Sequence, residues 1–165
     1  MCYHREVKNK KGEPAVKVVD TTEYVSMLRG LVEEGREVSM VVAGNSMAPF
    51  LVHRRDSICF RAPDRALRAG DMVFYQCATG QYVMHRICRV RREGYDIVGD
   101  AQTQIEGPVR REQIFALVTK VQRKGKWIGP GSFWWEFFAR VWIHVIPLRP
   151  ALLRAYQRLF RHRAV

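Results

Sequence analysis

Acidic residues are scarce in this chain. Sixteen Asp and Glu stand against 28 Lys and Arg, a formal net charge of +12 over 165 residues. That imbalance points to an anionic partner: lipid headgroups, nucleic acid or an acidic protein. Cysteine is thin as well. Cys2, Cys59, Cys77 and Cys88 show no Cys-x-x-Cys spacing, and Cys77, His85 and Cys88 fit no common zinc pattern. No metal or other cofactor is expected, and the thiols read as free, buried groups of a reducing compartment. No apolar run reaches the roughly 20 residues that a spanning helix needs. Residues 1–14 are polar and charged, which predicts neither a secretory leader nor an N-terminal transmembrane anchor. Lysine is missing altogether between Lys17 and Lys120, so a catalytic site in the middle of the chain has no lysine base to use.

What is present is enough apolar material for a packed core, 47% of residues, in a length that suits one domain with an appendage. Residues 1–19 are basic and weakly patterned, an arm or an edge strand. Asp20-Thr21-Thr22-Glu23 reads as a helix start, with Asp20 capping and Glu23 reaching back. Tyr24, Leu28, Leu31 and Val32 recur at helical spacing, and Gly35 can end the helix. From Glu37 the period becomes two. Val38, Met40 and Val42 alternate with Ser39, Val41 and Ala43, a strand that runs into Gly44. Further strands are expected at 57–60, 72–77, 81–91, 95–98 and 114–122, with Ala78-Thr79-Gly80 as a hairpin turn. The fold class is therefore mainly β with α. Its parts are an arm and helix (1–36), a β-rich core (37–128) and a basic, aromatic helical pair (129–165).

That last segment begins at Gly129-Pro130-Gly131, and residues 133–146 hold three of the four tryptophans. Phe133, Trp134, Trp135, Phe137, Phe138, Trp142 and Ile143 give one helix an apolar face, while Glu136, Arg140 and His144 form a polar stripe. A second helix follows Pro150, with Leu152, Leu153, Tyr156, Leu159 and Phe160 on one side and Arg154, Arg158 and Arg161 on the other. Six Arg against one Glu make residues 133–165 strongly basic. Such a pair suits an anionic membrane interface. The competing expectation is that both helices fold back and bury their tryptophans against the β core.

The chemistry sits in two motifs. Gly44-Asn45-Ser46-Met47-Ala48-Pro49-Phe50-Leu51 places a serine in a tight turn after an alternating strand, and Val83-Met84-His85-Arg86-Ile87 places a histidine in a later strand. Gly70-Asp71-Met72-Val73 lies between them and Gly99-Asp100 after them. A serine hydroxyl needs a base within hydrogen-bond reach to act as a nucleophile. An imidazole, with an ordinary pKa of about 6.5, can be that base without strong burial.

This order resembles the signal peptidase I family in its archaeal and endoplasmic-reticulum form, over residues 38–122. There the serine lies in a Ser-Met-x-Pro box and the base is the His of a His-Arg pair. The resemblance implies a β-rich catalytic core related to that of LexA-type peptidases, with Ser46 as nucleophile and His85 as general base. It implies that Met47 shapes the cleft and that Pro49 fixes the chain leaving it. Two acidic partners are offered: Asp100 in the Gly-Asp box, which is preferred, and Glu106, where the family's eukaryotic form has Asp. Arg86 reads as a structural ion-pair former and Asp71 as turn chemistry. The Ser46 N–H is one expected oxyanion donor. The family's hydroxyl two residues upstream is replaced by Gly44, which leaves Asn45 or a second backbone N–H. A carboxylate near His85 would raise its pKa to or somewhat above the ordinary value.

The implied activity is a membrane-associated serine endopeptidase that cuts an extended leader or signal peptide after small residues, with a peptide or preprotein as substrate. One alternative is a LexA-like or phage-repressor-like regulator. It needs a helix-turn-helix, and only one good helix precedes the strands. The other is a catalytically inactive module that binds membrane or nucleic acid, against which the intact Ser and His argue. Nucleic acid is the less favoured partner.

Overall fold

The computed structural model describes residues 21–161, with side chains for 22–155. Residues 1–20 lie outside it, and with them the expected Asp20 cap and N-terminal arm. The period-two segments form one antiparallel sheet of eight strands. They are β1 (Val38–Val41), β2 (Ser57–Arg61), β3 (Met72–Gln76), β4 (Tyr82–Arg91), β5 (Gly94–Val98), β6 (Glu106–Val109), β7 (Ile114–Arg123) and β8 (Lys126–Ile128). The order is β1-β2-β7-β3-β4-β5-β6, with β8 on β7. The protein is thus mainly β with some α. Two strands escape the periodicity. β6 is four residues long and contains Gly107-Pro108, tolerable because it lies at the sheet edge. β8 is only three residues, returning through a Lys124-Gly125 turn in which both residues have positive φ.

Alternation along the central strands divides the core in two. Met72 and Phe74 of β3 join Ile58, Phe60, Ala116 and Val118 on one face, and Val73 and Tyr75 join Ile87, Ile97, Ile114 and Leu117 on the other. The first face is covered by α1 (Thr21–Glu33), which buries Val25, Leu28 and Val32. Each such side chain contributes roughly 1.5–3 kcal/mol by leaving water. Tyr24, expected on this stripe, is 37% exposed. Val25 takes its place because the 25-28-32 spacing matches the helical period better. Gly35 ends the helix at φ +83°, a value at which a side chain would be strained.

The same face receives the C-terminal segment. Residues 133–146 do not form one helix. A short α2 (Phe133–Glu136) runs into a wide π turn (Phe137–Val141) and 3-10 turns at Trp142–His144 and Ile146–Leu148. The chain is held off a straight path by contacts with the sheet and its loops. A Cβ on Gly70 would lie 2.6 Å from the Ala139 carbonyl oxygen, so only glycine admits this approach. Trp142 Nε1 donates to the Asp100 carbonyl at 2.8 Å. Trp135, Phe138, Trp142 and Ile143 are buried, which removes them from the proposed membrane face, whereas Phe133 and Trp134 remain exposed. The segment read as an appendage therefore supplies part of the core. α3 (Arg149–Arg161) follows. The side chains of Tyr156, Arg158, Leu159, Phe160 and Arg161, expected on its two faces, lie outside those described. Among the described residues no helix is long and apolar enough to cross a membrane.

Candidate active site

Ser46 sits on a loop that the sequence builds with three apolar anchors. Met47, Phe50 and Leu51 are all buried to 1% exposure or less. Their burial draws the Ser-Met-x-Pro-Phe-Leu segment down onto the core. Phe50 stacks against Phe138 at 4.8 Å and lies under the Arg86 guanidinium at 5.1 Å. The loop turns at Gly44, φ +93°, whose N–H donates to His53 Nδ1 at 2.9 Å. Its far end is pinned by Asp56, fully buried, which accepts from the Val52 N–H at 2.9 Å and from Arg55 at 2.8 Å. Burial pushes the Asp56 carboxyl up, but hydrogen bonds from Arg55, Val52 and Lys124 outweigh it and hold it below its ordinary value. The half-buried Ser46 accepts at its carbonyl from the Ala101 N–H, 2.8 Å away. Its own N–H and hydroxyl make no hydrogen bond among the described residues.

His85 lies opposite Val73 in the β3–β4 ladder. It is buried, and its Nδ1 faces Glu106 Oε1 at 3.6 Å and the Tyr75 hydroxyl at 3.5 Å. Tyr75 donates its proton to Glu106 Oε2 at 2.6 Å. Burial, then the bond to Glu106, pushes the phenol far up, so it stays protonated and remains a donor. With that proton given to the carboxylate, both neighbours of Nδ1 present lone pairs. A neutral His85 with its hydrogen on Nδ1 would aim it at these two oxygens and leave the lone pair on Nε2. Nε2 has no hydrogen-bond partner among the described residues and is not sealed from solvent. Burial lowers the His85 pKa, against the opposing pull of Glu106 and Asp100. The expected pKa at or above the ordinary value is corrected by this burial.

Asp100 is occupied elsewhere. Its two oxygens accept from Arg86 Nε at 3.0 Å and Nη2 at 2.8 Å, with both side chains at 0% exposure. Arg86 Nη1 also donates to the Gly70 carbonyl at 2.8 Å. Asp100 was the preferred partner of the imidazole; in the structure it is held by Arg86, and the carboxylate that faces His85 is Glu106. Asp71 pairs with both terminal nitrogens of Arg65 at 2.8 Å and accepts from the Arg68 N–H, a turn fixed by an ion pair.

Two contributors went unread in the sequence. Tyr75 shares the face of His85, and the hairpin register was the signal that could have found it. Arg149 offered none. Its fully buried guanidinium donates to the Gly99 carbonyl at 2.8 Å, the Gln102 carbonyl at 2.9 Å and the Trp142 carbonyl at 3.0 Å. It ties the C-terminal segment to the loop against Ser46. Gly99 is required in that loop, since a Cβ there would stand 2.7 Å from the Ser46 carbonyl oxygen.

The structure thus brings His85, Glu106 and Tyr75 together and separates Asp100 with Arg86. It seats Ser46 against the 99–101 loop and in the wall of a pocket lined by Met84, which packs with Phe74 on the sheet face opposite to that of His85. No hydrogen bond joins the Ser46 hydroxyl to His85 among the described residues. Compared with known proteins, the chain matches no family model, no curated protein and no solved structure.

Proposed function

We propose that the protein is a serine endopeptidase of the signal-peptidase kind, with Ser46 as nucleophile, His85 as general base and Glu106 as the orienting carboxylate. The observation that carries this reading is the buried imidazole whose Nδ1 faces Glu106 at 3.6 Å and the Tyr75 hydroxyl at 3.5 Å, with Tyr75 itself bonded to Glu106. In the reaction, Ser46 Oγ attacks the peptide carbonyl while His85 Nε2 takes its proton. Glu106 stabilises the imidazolium. The unpartnered Ser46 N–H suits the oxyanion. His85 then protonates the leaving amine, and the acyl-enzyme is hydrolysed by water that His85 activates in turn. Among the described residues β1 is an edge strand, and it leads to Ser46, so an extended peptide can add to it through main-chain hydrogen bonds.

Peripheral attachment to an anionic membrane is part of the proposal. Phe133, Trp134, Leu148 and Leu152 are exposed, as are Arg140, which pairs with Glu136, and Arg154. Exposed apolar side chains with basic ones on the same segment suit an anionic interface.

The test is incubation of the full chain with a peptide mixture, with products read by mass spectrometry. New termini are expected with the wild type and none with Ser46→Ala or His85→Ala, each verified as folded by circular dichroism. Equal cleavage by either variant overturns the assignment.

A further inference from the structure

We infer that the pocket beside Ser46 receives a leucine- or methionine-sized apolar side chain of the peptide, and that this side chain selects the bond to be cut. The inference rests on the peptidase reading and departs from the small-residue preference that the family resemblance implies. The pocket has a volume of about 150 Å³. That is room for a guest about the size of benzene, close to the bulk of a Leu or Met side chain. Its walls come from Met40 of β1, Val42, Ile58, Phe74, Met84 and Val25 of α1, with Ser46 and Tyr82 among them. An alanine methyl would leave most of this space empty and forfeit its contacts. A carboxylate or ammonium would lose water against walls that are mostly apolar, with Ser46 and Tyr82 as their polar side chains. The two methionines adapt their shape to branched and unbranched guests alike.

The position of the pocket makes it a selector. Met40 and Val42 line it, whereas Val41 between them is 54% exposed. A peptide laid along this edge in extended form directs alternate side chains to the same side. Ser46 closes the row, so an occupied pocket sets the scissile carbonyl at a fixed distance from the hydroxyl. Val25 extends this selection beyond the sheet, since α1 supplies one wall.

The experiment uses the full chain and a mixture of random decapeptides. Cleaved products from the wild type are sequenced by mass spectrometry, and the same mixture is passed over immobilised Ser46→Ala protein to read equilibrium binding without chemistry. Leu, Met and Ile should be enriched over Ala by about tenfold or more at one fixed distance from the cut, with Asp and Lys depleted there. The bound fraction should show the same preference. Cleavage without that preference, or with Ala preferred, overturns the pocket assignment and leaves the peptidase reading intact. Binding with the preference but no cleavage upholds the pocket and removes the peptidase reading. Neither binding nor cleavage overturns both.

Discussion

His85 and Arg86 are consecutive in β4 and face opposite sides of the sheet, and each meets its own carboxylate. His85 turns to the Tyr75 side, where Glu106 stands 3.6 Å from Nδ1. Arg86 turns to the Phe50 side and holds Asp100 in a bidentate pair. The two-residue period of a strand makes this division obligatory: a carboxylate bonded to one of the pair is on the wrong face for the other.

Glu106→Gln and Asp100→Asn should therefore fail in different ways. Glu106→Gln loses the charge that orients and stabilises the imidazolium. It is expected to lower kcat by on the order of 10³–10⁴-fold while leaving the urea midpoint nearly unchanged. Asp100→Asn leaves Arg86 buried and uncompensated, a change that costs about 3–5 kcal/mol. Urea unfolding of both variants, beside their rates, separates the two roles. A normal rate in folded Glu106→Gln would reduce the site to a Ser-His pair.

The depressed pKa of His85 fixes the direction of two pH profiles. Activity should rise through an apparent pKa below the ordinary imidazole value of about 6.5 and stay flat through neutrality. Stability should move the same way. The unfolded chain takes up a proton as pH falls through about 6.5 and the folded chain does so only lower, so the unfolded state binds more protons in that interval. The His85 contribution is fully present above about pH 6.5 and is lost as pH falls from there to the folded pKa. His85→Gln should flatten this part of the profile. Rate–pH curves and urea midpoints between pH 5 and 8 check both, and a profile that rises only above about pH 8 would rule out His85 as the base.

Gly99→Ala tests the contact between loops. The added methyl must displace the Ser46 carbonyl or the Gln102 side chain, each 2.7 Å from the new atom. The expected cost is about 1–3 kcal/mol of stability and a larger loss of kcat than of substrate binding, because the nucleophile is displaced. Steady-state kinetics with a thermal melt read both. Unchanged kinetics would show that the loop yields without moving Ser46.

Vesicle co-sedimentation tests the membrane surface without damaging the core. Phe133→Ser with Trp134→Ser removes exposed aromatic area together with ring contacts to Phe137 and the Arg123 guanidinium, and binding to anionic vesicles should fall while the protein stays folded. High salt should weaken wild-type binding, since each surface Arg contributes on the order of 1 kcal/mol that salt screens. Equal sedimentation of the double variant and the wild type would remove these residues from any membrane role.

Alternation made much of this fold legible in the sequence. β1, β2, β3, β4, β5 and β7 each fall within a residue or two of the expected ranges: β1 alternates half-buried with exposed residues, while β2, β3 and β7 are short apolar runs buried on both faces. β6 and β8 are too short, and β6 too rich in Gly and Pro, to show a period at all. Residues 133–146 carry a helical pattern, yet contacts to Gly70 and Asp100 break the helix, and no local signal announces such contacts. In the site, Ser46, His85 and Glu106 were each visible as candidates. Choosing between Asp100 and Glu106 needed the face of Arg86, and Tyr75 needed the hairpin register. Both are properties of pairing between strands rather than of any one segment.

The buried Arg149 has a consequence for the chain during its synthesis. The loop that receives Ser46 carries Gly99 and Gln102, and both carbonyls are held by a residue about fifty positions later. Strands through β7 can pair as they emerge, since domains assemble from the N-terminal side at about 5–20 residues per second. The support of the Ser46 loop is not finished until residue 149 has been added. A nascent chain thus carries Ser46 and His85 for several seconds before the clamp closes, an interval in which the loop against Ser46 stands without its brace.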